Sequence, residues 1–271
     1  MTLRRLLTLL CCVFALVFMI SAAMAVMTLA AGAKEKSAFD ELAERVNSGF
    51  VLPMAVAEYV EPDTSGPAVS AAPAKPPESV SSLVAACRAL QDEQPDFAAW
   101  LKADAAGIDY PVMDSEDYIF RAFDGSESKS GTPFIGEGGS LDSDMFIIYA
   151  HNMKNGSMFG SLDEYRDAGF RAENPVITLA TPSEERSYEI FAAVDTRVLY
   201  EGEEGLRWYY MSGELDEDAY KALTGWLLDS SLYDTGVEPE YGQQLLILST
   251  CSYHTENGRF LVAARRISME N

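Results

Sequence analysis

The segment QQLLILSTCSYHTENGRFLVAARRI, residues 243–267, holds two apolar runs separated by a polar connection. QQLLILST and RFLVAARRI both have the length and the β-branched content of strands, and the residues between them include Asn and Gly. If the two runs pair as a hairpin, residues 251–258 form the connection, and Cys251 and Arg259 lie at the same end of it. The segment therefore predicts a hairpin whose thiol and guanidinium can face one pocket.

The residues upstream of this hairpin predict further short strands and two helices. SSLVAACRALQDE begins with a serine cap and has helical spacing that stops near Pro95, and DEDAYKALTGWLLDSS has acidic residues in its first turn. Strand-like runs with Gly, Asp, Asn and Ser between them are DYPVM, DMFIIYA, PVITLA and SYEIFAAVDTRVLY. Many short strands with one inserted helix predict a mostly β (α+β) domain built on a mainly antiparallel barrel.

Composition excludes several classes of function. The 271 residues are 48% hydrophobic, which supports a sizeable core, and 42 acidic against 20 basic residues give a net charge of −22. Nucleic-acid binding needs clustered Lys and Arg, so a neutral or cationic partner fits this chain better. The four cysteines form no CxxC pair, and two histidines cannot build a Cys/His zinc cluster, so no metal site is predicted.

An uncharged stretch of 26 residues, Leu6–Ala31, predicts a membrane span. A cleaved signal peptide is the alternative, because Arg4 and Arg5 precede the stretch and Ala23-Met-Ala25 resembles a cleavage site. The stretch is longer than the apolar region of most signal peptides, which favours an uncleaved anchor. Basic residues lie on both sides of it, so charge leaves the orientation open, and an outward-facing domain is compatible with it.

Residues between this stretch and the folded domain predict a stalk. Phe39, Leu42 and Val46 have helical spacing, which fits a short amphipathic helix or, equally well, a solvated stalk. Residues 61–82 are rich in Pro, Ala and Ser and predict an extended linker. The expected organisation is a membrane anchor over 1–33, a stalk and linker over 34–82, and one domain over 83–271.

Cys251 is the candidate nucleophile of the domain. Cysteine catalysis needs a thiolate, a group that protonates the leaving amine and an oxyanion donor. His151 ends a strand-like run and opens a polar turn, His254 lies in the hairpin connection, and Arg259 begins the following strand. Cys87 lies on an apolar helix face and is expected in the core. The spacing alone leaves open that Cys251 is structural and that Arg259 is a surface charge.

Three separated motifs resemble the sortases, and their wording is close to class B. They include LSTC followed eight residues later by Arg and YAHNMKNGSMFGSL about a hundred residues upstream. The stretches QPDFAAWLKADAAGIDYPVM and SLYDTGVEPEYGQQLLILSTCSY support the resemblance. The resemblance covers roughly residues 83–271 and implies a sortase-type closed β-barrel as the catalytic domain. The helix before SLYDTG is similar to the class B insertion ahead of the cysteine strand. The apolar N-terminus matches the family's membrane-anchored layout.

The resemblance also implies roles for individual residues. Cys251 becomes the nucleophile, His151 the general acid/base and Arg259 the group that holds the substrate and stabilises the oxyanion. Ser252 and Tyr253 stand where some class B enzymes carry an acidic residue after the cysteine. The residues expected to contact substrate are Ser249, Thr250, Asn152 and Tyr253.

The function implied by the resemblance is that of a membrane-anchored cysteine transpeptidase of a Gram-positive cell envelope. Such an enzyme cleaves an LPxTG- or NPxT-like C-terminal sorting signal after Thr through a thioester. It passes the protein to an amine of a peptidoglycan precursor or of another pilin. No metal and no organic cofactor are implied, nor is the calcium site of class A.

Two alternatives remain from the residues. An L,D-transpeptidase-like cysteine acyl transferase would carry Gly before the cysteine and Arg shortly after it, where this chain has Thr250 and Tyr253. The other alternative is a catalytically silent wall-binding module, which the presence of Cys251, His151 and Arg259 disfavours.

Overall fold

A closed β-barrel forms the body of the protein. The computed structural model describes residues 3–48 and 81–268. Around the barrel the strands follow the order β1-β2-β3-β4-β7-β8-β6-β5. The strands are β1 Phe97–Ala103, β2 Ile108–Met113, β3 Phe134–Ile135, β4 Met145–Tyr149, β5 Val176–Ala180, β6 Glu185–Arg197, β7 Leu245–Cys251 and β8 Gly258–Ile267. The predicted closed barrel with a few helices is confirmed.

Two of the strand pairs are parallel, β2 with β3 and β4 with β7, and the other six are antiparallel. The β4–β7 pair joins segments about a hundred residues apart, because the intervening chain builds β5, β6 and two α-helices before it returns. A parallel pair cannot be closed by a tight turn and needs such a long connection. This pair is the one that determines the arrangement of the site described below.

Strand β7 is buried on both faces, which explains its continuous apolar run. Leu246 and Leu248 point into the barrel interior, whereas Leu245 and Ile247 belong to an outer cluster beneath a helix. A strand covered on both sides loses the apolar–polar alternation of a half-exposed strand. Truncation of Leu248 to Ala should cost about 2–5 kcal/mol of unfolding free energy.

The helix over this outer cluster is the predicted insertion between β6 and β7. In chain order the helices are α1 Leu3–Asn47, α2 Ser82–Glu93, α3 Ala168–Glu173 and α4 Glu217–Asp229. Asp216 caps α4, and its side chain accepts the N–H of Ala219 at 2.8 Å. The buried residues of α4 include Tyr220, Leu223 and Leu227, the three whose spacing predicted the helix.

Strand β1 was not among the predicted strands. Its sequence, FAAWLKA, shows no alternation and contains residues that favour helices. Leu101 faces the barrel interior, while Phe97 and Trp100 pack in a second cluster with residues of α2. Burial on both faces removed the periodicity that would have identified this strand.

Helix α1 runs without a break from the apolar stretch to residues that pack on the barrel. Large apolar side chains between residues 10 and 29 are exposed, including Phe14, Phe18 and Leu29, and the helix is long and apolar enough to cross a membrane. Leu42 and Val46 are buried in the cluster that contains α2 and β1. Residues 34–47 are therefore helical and docked, while residues 49–80 of the predicted stalk and linker lie outside the described residues.

Candidate active site

The predicted β7–β8 hairpin is present and brings Cys251 and Arg259 together. The two residues are direct Cα partners at the last rung of the antiparallel pair. Side chains of directly opposed residues lie on the same face of a sheet, so the thiol and the guanidinium share the outer face of the barrel. Below this rung the connection is closed by a bond from the N–H of Ser252 to the carbonyl of Gly258 at 3.0 Å.

Gly258 is required by the tightness of this connection. A Cβ at this position would lie 2.3 Å from the carbonyl oxygen of Ser252 and 2.9 Å from that of Thr255. Neither backbone oxygen can move without opening the hairpin, so a larger residue would displace the neighbouring Arg259. The glycine thus fixes the end of the hairpin at which the site is built.

His151 lies two residues beyond the end of β4, level with Cys251 when the strand register is extended. The parallel β4–β7 register pairs Tyr149 with Ser249, and two further residues along each chain lead to His151 and Cys251. The side-chain amide of Asn152 donates to the carbonyl of Cys251 at 2.8 Å, which ties the turn after β4 to the end of β7. Residues a hundred positions apart are therefore neighbours at one end of the barrel.

The ring of His151 is held by a main-chain carbonyl and an aromatic side chain. Its Nε2 lies 2.8 Å from the carbonyl oxygen of Ile119, and its ring centroid lies 5.3 Å from that of Phe120. A carbonyl can only accept a hydrogen bond, so Nε2 carries a proton in this arrangement. Nδ1 is then the ring nitrogen that can exchange a proton with the thiol or the substrate.

Arg259 is anchored to its own hairpin. Its Nη1 donates to the carbonyl oxygen of Gly258 at 2.9 Å and of Asn257 at 3.4 Å. Its charge also acts on Tyr149, the last residue of β4: burial raises the pKa of the Tyr149 hydroxyl to about 12, and the Arg259 cation opposes that rise. The guanidinium therefore lies close to the strand that leads to His151.

Exposure separates the two cysteines of the barrel domain. Cys87 is 0% exposed in α2, its thiol lies 3.5 Å from the carbonyl oxygen of Ala180, and burial raises its pKa to about 12. Cys251 is exposed at the end of β7. Only a reachable thiol can act as a nucleophile toward a peptide, so Cys251 is the candidate and Cys87 is a core residue, as the sequence predicted.

The four residues expected to contact substrate fall into two groups. Ser249 and Thr250 are buried in the barrel wall; the Thr250 hydroxyl donates to the carbonyl of Ala150 at 2.8 Å, and Ser249 Oγ has no hydrogen-bond partner among the described residues. Asn152 binds the Cys251 carbonyl, and Tyr253 is 76% exposed in the hairpin connection. The structure therefore places only Asn152 and Tyr253 where a substrate can reach the side chain.

A polar cluster behind the hairpin connection was not predicted. His254 Nδ1 lies 2.8 Å from Ser252 Oγ and 3.5 Å from a carboxylate oxygen of Asp195. Arg166 binds the same carboxylate, donates to Ser252 Oγ at 3.2 Å and lies over the ring of Phe260. No local sequence pattern indicates this cluster, because its residues come from β6, a 3-10 helix and a loop.

The barrel of this chain is similar in fold to solved sortase B structures. Sortase B of Bacillus anthracis covers 68% of this chain and 85% of its own with 27% identity and a TM-score of 0.57. A Staphylococcus aureus sortase B–substrate complex covers 68% and 86%, with 20% identity and a TM-score of 0.60.

A sequence relative agrees with the structural neighbours. Sortase B of Listeria monocytogenes is 27% identical over 190 residues, which cover 67% of this chain and 74% of that protein. No family model matches the chain. These relatives and solved structures support a sortase family, class B, for the chain. They indicate a cysteine transpeptidase of the type that anchors proteins to the cell wall.

Proposed function

We propose that Cys251, His151 and Arg259 are the catalytic residues and that the substrate is a C-terminal sorting signal, LPxTG- or NPxT-like, cleaved after its Thr. The observation that carries this proposal is the register of three neighbouring strands. Cys251 is the Cα partner of Arg259 on β8, and His151 lies level with it beyond the end of β4. This arrangement supplies a nucleophile, a proton carrier and a cation around one reacting carbon.

In the first step the Cys251 thiolate attacks the carbonyl carbon of the signal's Thr. The C=O electron pair moves onto oxygen, and the Arg259 cation stabilises the negative charge that develops there. The bond from the Thr carbon to the next residue's nitrogen then breaks, and His151 gives its proton to the departing amine. The products are a thioester on Cys251, a free C-terminal fragment and a neutral His151.

In the second step an amine of a peptidoglycan precursor or of another pilin attacks the thioester. His151 takes the proton from the attacking nitrogen, a new amide bond forms and the Cys251 thiolate leaves. The net reaction exchanges one amide bond for another, so it needs neither an oxidant nor water. This balance fits the residues present, each of which returns to its starting state.

A groove beside Tyr149 is the proposed binding site for the sorting signal. Its lining residue Tyr149 is the Cα partner of Ser249, two residues before Cys251, and the groove combines aromatic and acidic side chains. We assign Asn152 and Tyr253 to contact with the bound peptide, whereas the buried Ser249 and Thr250 shape the strand that carries Cys251. The groove is lined by Glu116, Phe134, Glu137, Tyr149, Tyr209 and Tyr210.

We also propose that α1 crosses the cell membrane once, with the barrel outside. The exposed apolar side chains between residues 10 and 29 support a lipid-facing helix. The substrates proposed above are surface proteins and wall precursors, which are outside the cell. Added protease should digest the barrel on intact cells while the chain remains in the membrane fraction; a barrel protected until the cells are lysed would contradict this orientation.

The test of the proposed reaction uses the full chain in detergent micelles. Peptides carrying LPxTG- and NPxT-like signals are added with an amine acceptor, and mass spectrometry follows cleaved peptide, amide product and enzyme mass. We expect cleavage after Thr for one signal, an enzyme adduct that Cys251→Ala lacks, and transfer to the amine. Cleavage by Cys251→Ala at the wild-type rate would refute the proposal.

A further inference from the structure

A loop on the histidine side of the site, residues 116–132, carries the carbonyl that binds His151. Its two arms are joined by backbone bonds from Ser128 N to Phe120 O and from Thr132 N to Tyr118 O, each 2.9 Å long. A Cβ on Gly131 would lie 2.3 Å from the Ile119 carbonyl oxygen. The second arm therefore lies directly against the group that binds the histidine, and movement of that arm moves the carbonyl.

Tyr118 and Phe123 of this loop are buried, but the two residues of the first arm that meet His151 are not held by burial. Ile119 and Phe120 are 40% and 60% exposed, although they contact the ring of His151. Segments with little buried apolar surface open at low free-energy cost unless other contacts hold them. An additional contact on the second arm would therefore have a direct effect on the placement of the histidine ring.

Such a contact comes from the docked half of α1. One carboxylate oxygen of Glu35 accepts the N–H of Lys129 at 3.1 Å, and the other accepts the N–H of Ser130 at 3.3 Å and its hydroxyl at 2.7 Å. Hydrogen bonds to an ionised carboxylate are stronger than those between neutral groups. Glu35 thus binds three donors on the arm that lies against Ile119.

The same helix also reaches the turn that follows His151. The ring of Phe39, one turn after Glu35, meets Tyr110 edge-on with centroids 5.7 Å apart. The Tyr110 hydroxyl accepts the N–H of Met158 at 3.3 Å, near the end of that turn. Helix α1 therefore supports both segments that flank the histidine.

We propose that Glu35 is a positioning residue for His151: it fastens the second arm of the 116–132 loop and so holds the Ile119 carbonyl against the histidine Nε2. The inference rests on the proposed role of His151 as the acid/base. Its consequence is that the helix leaving the membrane span is part of the support of the active site. The enzyme should therefore have its highest turnover rate when the whole of α1 is present and docked.

The first test compares Glu35→Gln with Glu44→Gln, an exposed carboxylate on the same helix. A Gln side chain has one accepting oxygen and presents its NH₂ on the other side, so it cannot accept hydrogen bonds from both Lys129 and Ser130. We expect Glu35→Gln to lower kcat by about 10-fold with KM changed less than about 2-fold, because loss of orientation acts on the chemical step. Glu44→Gln should match the wild type.

A second readout is independent of activity. The chain has two histidines, so ¹⁵N-labelled imidazole signals can be assigned with His151→Ala and His254→Ala in protein purified without a histidine tag. Glu35→Gln should shift the ring nitrogens of His151 and leave those of His254 in place. Thermal unfolding should stay cooperative, with a midpoint within about 3 °C of wild type.

The outcomes separate this inference from the proposed function. Full activity in His151→Ala would refute the role of His151, and the inference would fall with it. An inactive His151→Ala beside a Glu35→Gln with wild-type kcat, or with unchanged His151 signals, would overturn the inference alone. Equal losses of activity in Glu35→Gln and Glu44→Gln would also overturn it, because the effect would belong to the helix as a whole.

Discussion

The two histidines lie in opposite kinds of surroundings. His151 meets one carbonyl and one aromatic ring at the open end of the barrel, while His254 joins a cluster with Ser252, Asp195 and Arg166. His254 is three residues from Cys251 in the chain, yet it faces the back of the hairpin connection. The difference teaches that distance along the sequence is a poor guide to which polar groups share a site, and that strand register is a better one.

Removal of the Cys251 thiol should have the largest effect on activity. It tests whether the end of the barrel that carries His151 is the active site. Cys251→Ala should reduce peptide cleavage to background in the mass-spectrometric assay. Its stability should change by no more than about 0.5 kcal/mol, because the side chain is exposed. Denaturant unfolding of the same preparation is the control, and measurable turnover in a folded variant would show that Cys251 is not the nucleophile.

Replacement of His151 should come next. A positioned acid/base group contributes about 10²–10⁴ in rate, so His151→Ala should lose a factor in that range from kcat/KM. Steady-state cleavage of a fluorescent sorting-signal peptide measures it. A loss of less than 10-fold would show that the ring held by Ile119 is not the proton carrier.

Substitution of the hairpin arginine should have a smaller but still large effect. Arg259→Lys keeps the charge but loses the planar set of donors, and loss of one oxyanion donor costs about 10²-fold or more in kcat. Arg265→Lys is the matched control on the same strand, where the guanidinium binds Glu189. Similar kinetics for the two variants would place the active guanidinium elsewhere.

The smallest effect on rate is expected at the other histidine. His254→Ala should change kcat/KM by less than about 5-fold, well below the loss expected for an acid/base residue. Its effect should instead be on stability, about 1 kcal/mol, because Ser252 Oγ loses its imidazole partner and Asp195 keeps only Arg166. Urea unfolding measures this change. A His254→Ala variant that is stable but inactive would assign the catalytic role to His254 instead of His151.

Local patterns were enough to predict the elements that carry the site. Two apolar runs with an Asn-Gly in their connection predicted the β7–β8 hairpin, and with it the pairing of Cys251 and Arg259. Helical spacing with an acidic first turn predicted α4. These features depend on residues that are close in the sequence, and the resemblance to known motifs supplied the roles.

Contacts between distant segments could not be predicted in the same way. Nothing in the run DMFIIYA states that its partner is β7, so the position of His151 beside Cys251 followed from the family resemblance and not from spacing. The ring of His151 contacts the backbone carbonyl of Ile119, and Glu35 accepts backbone N–H groups of the same loop. Every residue has such backbone groups, so the sequence does not indicate which of them are used. Burial on both faces likewise hid β1.

The continuity of helix α1 bears on the distance between the active site and the proposed membrane span. The proposed span from Leu6 to Ala31 and the docked residues belong to one helix, whose length is about 1.5 Å per residue. Residues 49–80 leave from this docked helix at Ser48 and return to the domain at Ser81. If α1 spans the membrane as proposed, the helix and not the length of residues 49–80 would determine the height of Cys251 above the lipid.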